Sequence, residues 1–294
     1  MSKTVLTLPP DQLEALSRAY TQALNERRRM VFIVGAIVAA LIALACVQAQ
    51  VSPSKFADNI GNFFSYIDRI FRLDNSAAVW TDPGEWLWGW KRWLRLLVET
   101  LLMAYVGTLL GAIAGFVLCF MSVGNLTETA WVRIAAKRFL EFCRTVPDLV
   151  YALIYVVAFG LGAVPGVLAI ASHTVGALGK QFADVVENID MKPVEGARST
   201  GASWAEVVRF AVVPQVLSNF VSYALLRFEI NVRSAGVIGL VGAGGIGQEI
   251  MVSIRRFQYP DISALLVLII LTVMVIDIAT SRLRHSFLSA EHGK

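Results

Sequence analysis

Three short stretches of this 294-residue chain bring together residue types that could do chemistry, and each limits what that chemistry can be. The longest, Asp190 to Gln215, reads DMKPVEGARSTGASWAEVVRFAVVPQ and is a polar island between apolar runs. Lys192, Arg198 and Arg209 are balanced there by Asp190, Glu195 and Glu206, so the island lacks the basic excess that binding a nucleic-acid backbone requires. In the second, Glu229 stands four residues ahead of Arg233 and Arg227 four ahead of Asn231, spacings that meet on a helix face. Such a group is either an internal salt bridge at a helix end or a source of positive potential along a route for an anion. The third, with Gly242, Gly244, Gly245 and Gly247, formally matches G-x-G-x-x-G, but neither a strand nor a βαβ unit surrounds it, so dinucleotide binding is not expected. Glycines at this density suit an irregular or re-entrant segment, which membrane depth tolerates only beside protein or a water-filled cavity.

The rest of the chain offers no machinery for catalysis. It contains no G-x-x-x-x-G-K-[ST] loop and no Ser/His/Asp or Cys/His constellation, so energy for any work must come from a partner. Cys46, Cys119 and Cys143 lie in or beside apolar runs without CxxC spacing, and they read as small buried hydrophobes rather than a disulfide or metal site.

The island itself predicts two short helices. Pro193 suits a first helical turn, where its missing N–H is not needed, and Glu195 lies near the positive end of the helix dipole. Gly201 provides the left-handed turn that ends the helix. Ser203 and Glu206 form the S-x-x-E box that starts a second helix, which Pro214 is expected to interrupt.

What positions these stretches is a membrane protein. With 56% hydrophobic and 16% charged residues, the chain is too apolar for soluble domains. Residues 1–29 form a polar lead-in with a loose amphipathic helix from Asp11 to Leu24, closed by Arg27, Arg28 and Arg29. Met30 to Val47 is an uncharged run of about 27 Å as a helix, long enough to span. Val47-Gln48-Ala49 resembles a signal cleavage site, but the run exceeds a signal peptide's apolar region, so it is expected to remain as the first span. Residues 48–93 are read as extracytoplasmic: Phe56, Ile60, Phe63, Phe64, Ile67 and Phe71 recur at helical spacing, as in an interfacial helix, and Trp80, Trp86, Trp88, Trp90 and Trp93 suit an aromatic belt. Further spans are expected at Leu94–Val123, Phe139–Gly162, Val167–Val186, Val216–Ile230 and Ile262–Thr280, with residues 289–294 as a tail. His173 is a polar break in the fourth, read first as a helix contact and second as pathway lining. Six spans put both termini and residues 189–214 inside, and 16 of the 26 Lys and Arg fall on that side.

The island also carries a resemblance. Glu195, Gly196, Ala197, Gly201 and Pro214 resemble the E-A-A, three residues, G, twelve residues, P signature of bacterial ABC importer permeases, with Gly196 in place of Ala and Ala211 and Val213 where Ile and Leu are usual. Arg227 to Gly247 resembles the phosphonate-importer branch, and the likeness covers roughly residues 94–288. It implies a type I ABC importer permease fold: an all-α membrane protein with one N-terminal helix, a five-helix core and a cytoplasmic coupling helix that docks on an ATPase. It further implies a second copy of the chain, two ATPase subunits that bind ATP and Mg, an extracytoplasmic binding protein, and residence in the inner membrane. The solute would be phosphonate, phosphite or phosphate; a methionine-type importer or an ATP-independent transporter is the alternative.

Overall fold

The computed structural model describes residues 10–49 and 53–292, and the tail at 293–294 and the start of the lead-in lie outside them. Contacts divide the chain between Ile67 and Asp68. In the first unit, α1 (Pro10–Gln48) is one 39-residue helix of about 58 Å. The amphipathic lead-in and the first span, expected as separate pieces, are therefore continuous. The apolar side chains from Met30 to Val47 are exposed, Cys46 among them, which corrects the expectation that all three cysteines are buried. Helix α2 (Pro53–Ile70) follows, with Phe56, Ile60, Phe63, Phe64 and Ile67 exposed at helical spacing.

The second unit contains α3 (Pro83–Trp86), α4 (Trp90–Ser122), α5 (Ala130–Thr145), α6 (Asp148–Phe159), α7 (Ala163–Glu187), α8 (Lys192–Ser199), α9 (Trp204–Val207), α10 (Val213–Ile238), α11 (Gly245–Arg255) and α12 (Tyr259–His292). At its centre α7 packs against α4, α5, α6 and α10, most extensively against α4. The reason is written in small residues: a Cβ on Gly107, Gly111 or Gly115 of α4 would stand 2.5–2.9 Å from atoms of Ile170, Thr174 or Gly179 of α7. Without Cβ atoms the two backbones approach closely, which is how helices associate when lipid gives no hydrophobic contrast.

Among the described residues, four helices are long and apolar enough to cross a membrane, within Arg18–Gln48, Trp90–Ser122, Trp204–Val241 and Tyr259–Arg284, or five if α5 and α6 form one span. The expectation of six differs at two places. The run Phe139–Gly162 is not a straight span, because α5 and α6 meet at 87°. Pro147 disfavours helical geometry at the residue before it, and Val146 is extended at φ −75°, ψ 122°. Helix α7 has the length, 25 residues, but Ser172, His173, Thr174 and Lys180 lower its apolarity. A helix enclosed by its neighbours has less need of an all-apolar surface than one facing lipid.

The tryptophans divide. Trp80, Trp88 and Trp90 are exposed, as a belt requires, whereas Trp93 is buried and Trp86 is tied to α12 by its indole N–H, which donates to Ser263 Oγ at 2.9 Å. Trp88 donates in the same way to Asp261 at 2.9 Å, so α3 and the loop after it are anchored to the first turn of α12.

Candidate functional site

The polar island folds as a bent helix pair with a buried root and an exposed tip. Pro193 lies in the first turn of α8, and the chain leaves the helix through Gly201 at φ +81°. Gly201 N–H donates to Arg198 O at 3.0 Å and Ala202 N–H to Ala197 O at 3.4 Å, closing carbonyls that the helix end leaves open. The Glu206 carboxylate then accepts both the N–H and the hydroxyl of Ser203, each at 2.7 Å, and fixes the start of α9.

Pro214 does not interrupt the second helix. One π-helical turn, Val208–Val212, joins α9 to α10, and Pro214 falls in the first turn of α10, where its missing donor is least harmful. Gln215 beside it donates from Nε2 to Ala211 O at 2.6 Å and to Asp190 O at 3.3 Å, and its Oε1 accepts the Asp190 N–H at 3.2 Å. Both ends of the island are thereby tied together.

Val194, Val207 and Val212 form its root, packed with Phe120, Val123, Leu126, Phe182 and Val186. Arg198 donates to Asn125 O at 3.2 Å while Asn125 Nδ2 donates to Val186 O at 2.8 Å, so the tip is also fixed through polar contacts to the α4–α5 loop and α7. Glu195, Gly196, Gly201 and Pro214 are exposed and Ala197 is half-buried. Trp204 and Phe210 add apolar surface, 46% and 68% exposed, and a groove of about 680 Å³ opens beside Trp204 between Met121 and Val132. The projection therefore presents aromatic, acidic and small side chains on its exposed side.

The second stretch separates into different roles. Glu229 and Arg233 pair with each other along α10. Asn231 does not pair with Arg227; buried, it donates from Nδ2 to Thr108 Oγ1 at 2.8 Å and Thr174 Oγ1 at 2.9 Å, joining α10 to α4 and α7. Arg227 is half-buried, and its solvent-free Nε has no hydrogen-bond partner.

The glycine stretch is an irregular turn between α10 and α11, with Gly242, Gly244 and Gly245 at φ +92°, +83° and +72°. It lies against the α6–α7 loop, where Gly162 N–H donates to Gly242 O at 3.1 Å, and against α4, where Thr100 Oγ1 accepts the Ile246 N–H at 2.9 Å. Gly247 has no room for a side chain, because a Cβ there would overlap the Gly236 carbonyl.

His173 Nδ1 donates to Val146 O at 3.0 Å, filling a carbonyl released by the α5–α6 break. Thr100, Thr108 and Thr174 were not singled out by sequence. Their signal is only that of isolated hydroxyls in apolar runs, which commonly bond their own helix.

Among known proteins, the model of the binding-protein-dependent transport system inner membrane component family matches residues 107–288. The phosphite transport system permease protein PtxC of Stutzerimonas stutzeri is 38% identical over 229 residues, covering 76% of this chain and 83% of that protein. A putative cryptic phosphonate transport system permease protein of Escherichia coli strain K12, PhnE2, is 50% identical over 121 residues, which are 41% of this chain and 99% of that one. A solved structure of the MetNI methionine ABC transporter, described as inward facing, superposes with a TM-score of 0.57 at 20% identity, covering 70% of this chain and 98% of that one; it speaks for the fold alone. The chain is an all-α membrane protein with the type I ABC importer permease fold. It belongs to the family of binding-protein-dependent transport system inner membrane components.

Proposed function

We propose that this chain is the permease subunit of a bacterial ABC importer for phosphonate, phosphite or phosphate, and that α8, Gly201 and α9 form its coupling element. The 38% identity to a phosphite permease over three quarters of the chain supports the solute class. The buried root and exposed tip of the island support the coupling role, because a load on α8 passes directly into α7 and α10 through Val194 and Val212. Two copies form the pathway, and each presents one island to an ATPase subunit that holds ATP and Mg. ATP binding draws the islands together and turns the spans, opening the pathway to a loaded extracytoplasmic binding protein. Both termini and the island face the cytoplasm, and Arg27 to Arg29 hold that orientation.

The test is the assembled complex in proteoliposomes, with ATP hydrolysis and uptake followed as the cognate binding protein delivers phosphonate, phosphite, phosphate or methionine. Stimulation by a phosphorus oxyanion is the expected result. Stimulation by methionine alone overturns the solute class, and uptake without ATP overturns the importer reading. Uptake that remains at the wild-type level in both Glu195→Ala and Gly201→Val overturns the coupling assignment.

A further inference from the structure

Polar side chains form two stripes where α7 and α10 meet the island. On α10, Gln215, Asn219 and Tyr223 stand four residues apart, which keeps them on one side of the helix over about 12 Å. On α7 and its cap, Gln181, Asp184 and Asn188 recur at three and four residues and share a side in the same way. All six line one groove of about 630 Å³, which also reaches Asp190 at the start of the island.

The other sides of these turns are apolar. Val216 and Phe220 of α10 and Phe182 and Val186 of α7 are buried in the core at the root of the island. Leu217, two residues before Asn219 and so on the opposite side of α10 from the stripe, is 52% exposed. Helix α10 lies within a stretch apolar enough to cross a membrane, where amides and a phenol set against hydrocarbon lose their hydrogen bonds to water and gain none. Nor does the chain replace those bonds: among the described residues, the side chains of Gln181, Asn219 and Tyr223 have no hydrogen-bond partner. Water satisfies them, and the groove has room for roughly twenty molecules at ~30 Å³ each.

We propose that this groove is the water-filled cytoplasmic mouth of the pathway, through which the phosphorus oxyanion leaves. Amide and phenol groups donate to the oxygens of such an anion. Asp184 is already paired with Lys180 at 2.7 Å, so the lining offers hydrogen bonds without a free cation. The anion is therefore held weakly, as release requires. Gln215 belongs both to the groove and to the tie with Asp190, so a movement of the island reshapes the mouth. The inference rests on the proposed cytoplasmic placement of the island and on the solute reading.

The experiment places single cysteines at Asn219→Cys, Gln181→Cys and Leu217→Cys in a Cys46→Ser background, with the cognate ATPase, and follows labelling by the charged, impermeant reagent methanethiosulfonate ethylsulfonate in inverted vesicles and intact cells. In inverted vesicles, positions 219 and 181 should react at least tenfold faster than 217. A non-hydrolysable ATP analogue should change the rate at 219 at least threefold. After reconstitution with the binding protein, labelled protein should take up phosphite at least fivefold more slowly than the same variant unlabelled, read on whichever of the two stripe variants is active before labelling. Rates at 219 and 181 no faster than at 217 on either side of the membrane overturn the groove as a water-filled mouth, the stripes then being covered by lipid or a second copy. Full labelling with uptake unchanged overturns its place on the pathway, and a rate indifferent to nucleotide overturns the link to the island. Fast labelling in intact cells alone overturns the cytoplasmic placement while leaving the groove water-filled. Wild type that carries no phosphite overturns the solute reading, and the labelling rates still decide whether the groove holds water.

Discussion

Gly201 and Gly247 are glycines for opposite reasons, and the difference governs what substitution does. At Gly201 a Cβ would meet nothing within 4 Å, so Gly201→Ala costs only the positive-φ conformation, about 1 kcal/mol. Such a variant should insert normally and lose mainly its grip on the ATPase, seen as reduced co-purification and uptake. Gly247→Ala instead drives a methyl into the Gly236 carbonyl, and we expect no monodisperse protein on size-exclusion chromatography in detergent. Asn231→Leu should lower the melting temperature by an amount equivalent to about 1 kcal/mol, since two buried threonine hydroxyls lose a donor. Gly201 could be read in the sequence because its neighbours, a proline-started turn and a capping box, define a local structure. The Gly236–Gly247 approach and the Asn231 bonds could not, because their partners lie far apart along the chain or around a bend that no periodicity encodes.

Among the elements, the short helix α9 depends most on its own chemistry. Ser203 and Glu206 hold its start, and Ser203→Ala should cost about 1 kcal/mol and lower ATP-driven uptake while insertion stays normal, which membrane fractionation and transport assays check together. That element was legible because capping is a four-residue code. The α5–α6 break was not, although Pro147 was in plain sight: the apolar residues on both sides outweighed it in a reading by hydropathy. Helix α7 shows the converse. Its hydroxyls, His173 and Lys180 lower its hydropathy, and its place at the centre of the bundle shows why the polar positions are tolerated. Sequence could register the polarity but not the neighbours that accommodate it.

Across the molecule, the proposed orientation makes one position a reporter. Gly196 is exposed, and a side chain there meets nothing within 4 Å, so Gly196→Cys in a Cys46→Ser background should fold. A membrane-impermeant thiol reagent should label it in inverted vesicles and not in intact cells; the reverse pattern would place the island outside and end the coupling account. That the chain is built of apolar helices was legible from its composition; the polar helix pair needed the residue pattern of 190–215. The break between α5 and α6 was not legible, because hydropathy does not report where a run bends.

The π turn at Val208–Val212 sets the rotational phase of everything after it. An α-helix advances about 100° per residue, so the wider turn lets the island's exposed face and the interior face of α10 be aimed independently. Deleting one residue from 208–212 would swing Asn231 around the axis of α10, away from the two threonines, without altering a side chain in either place. The packing of the island and the bonds of Asn231 would each survive as chemistry, but no longer both at once.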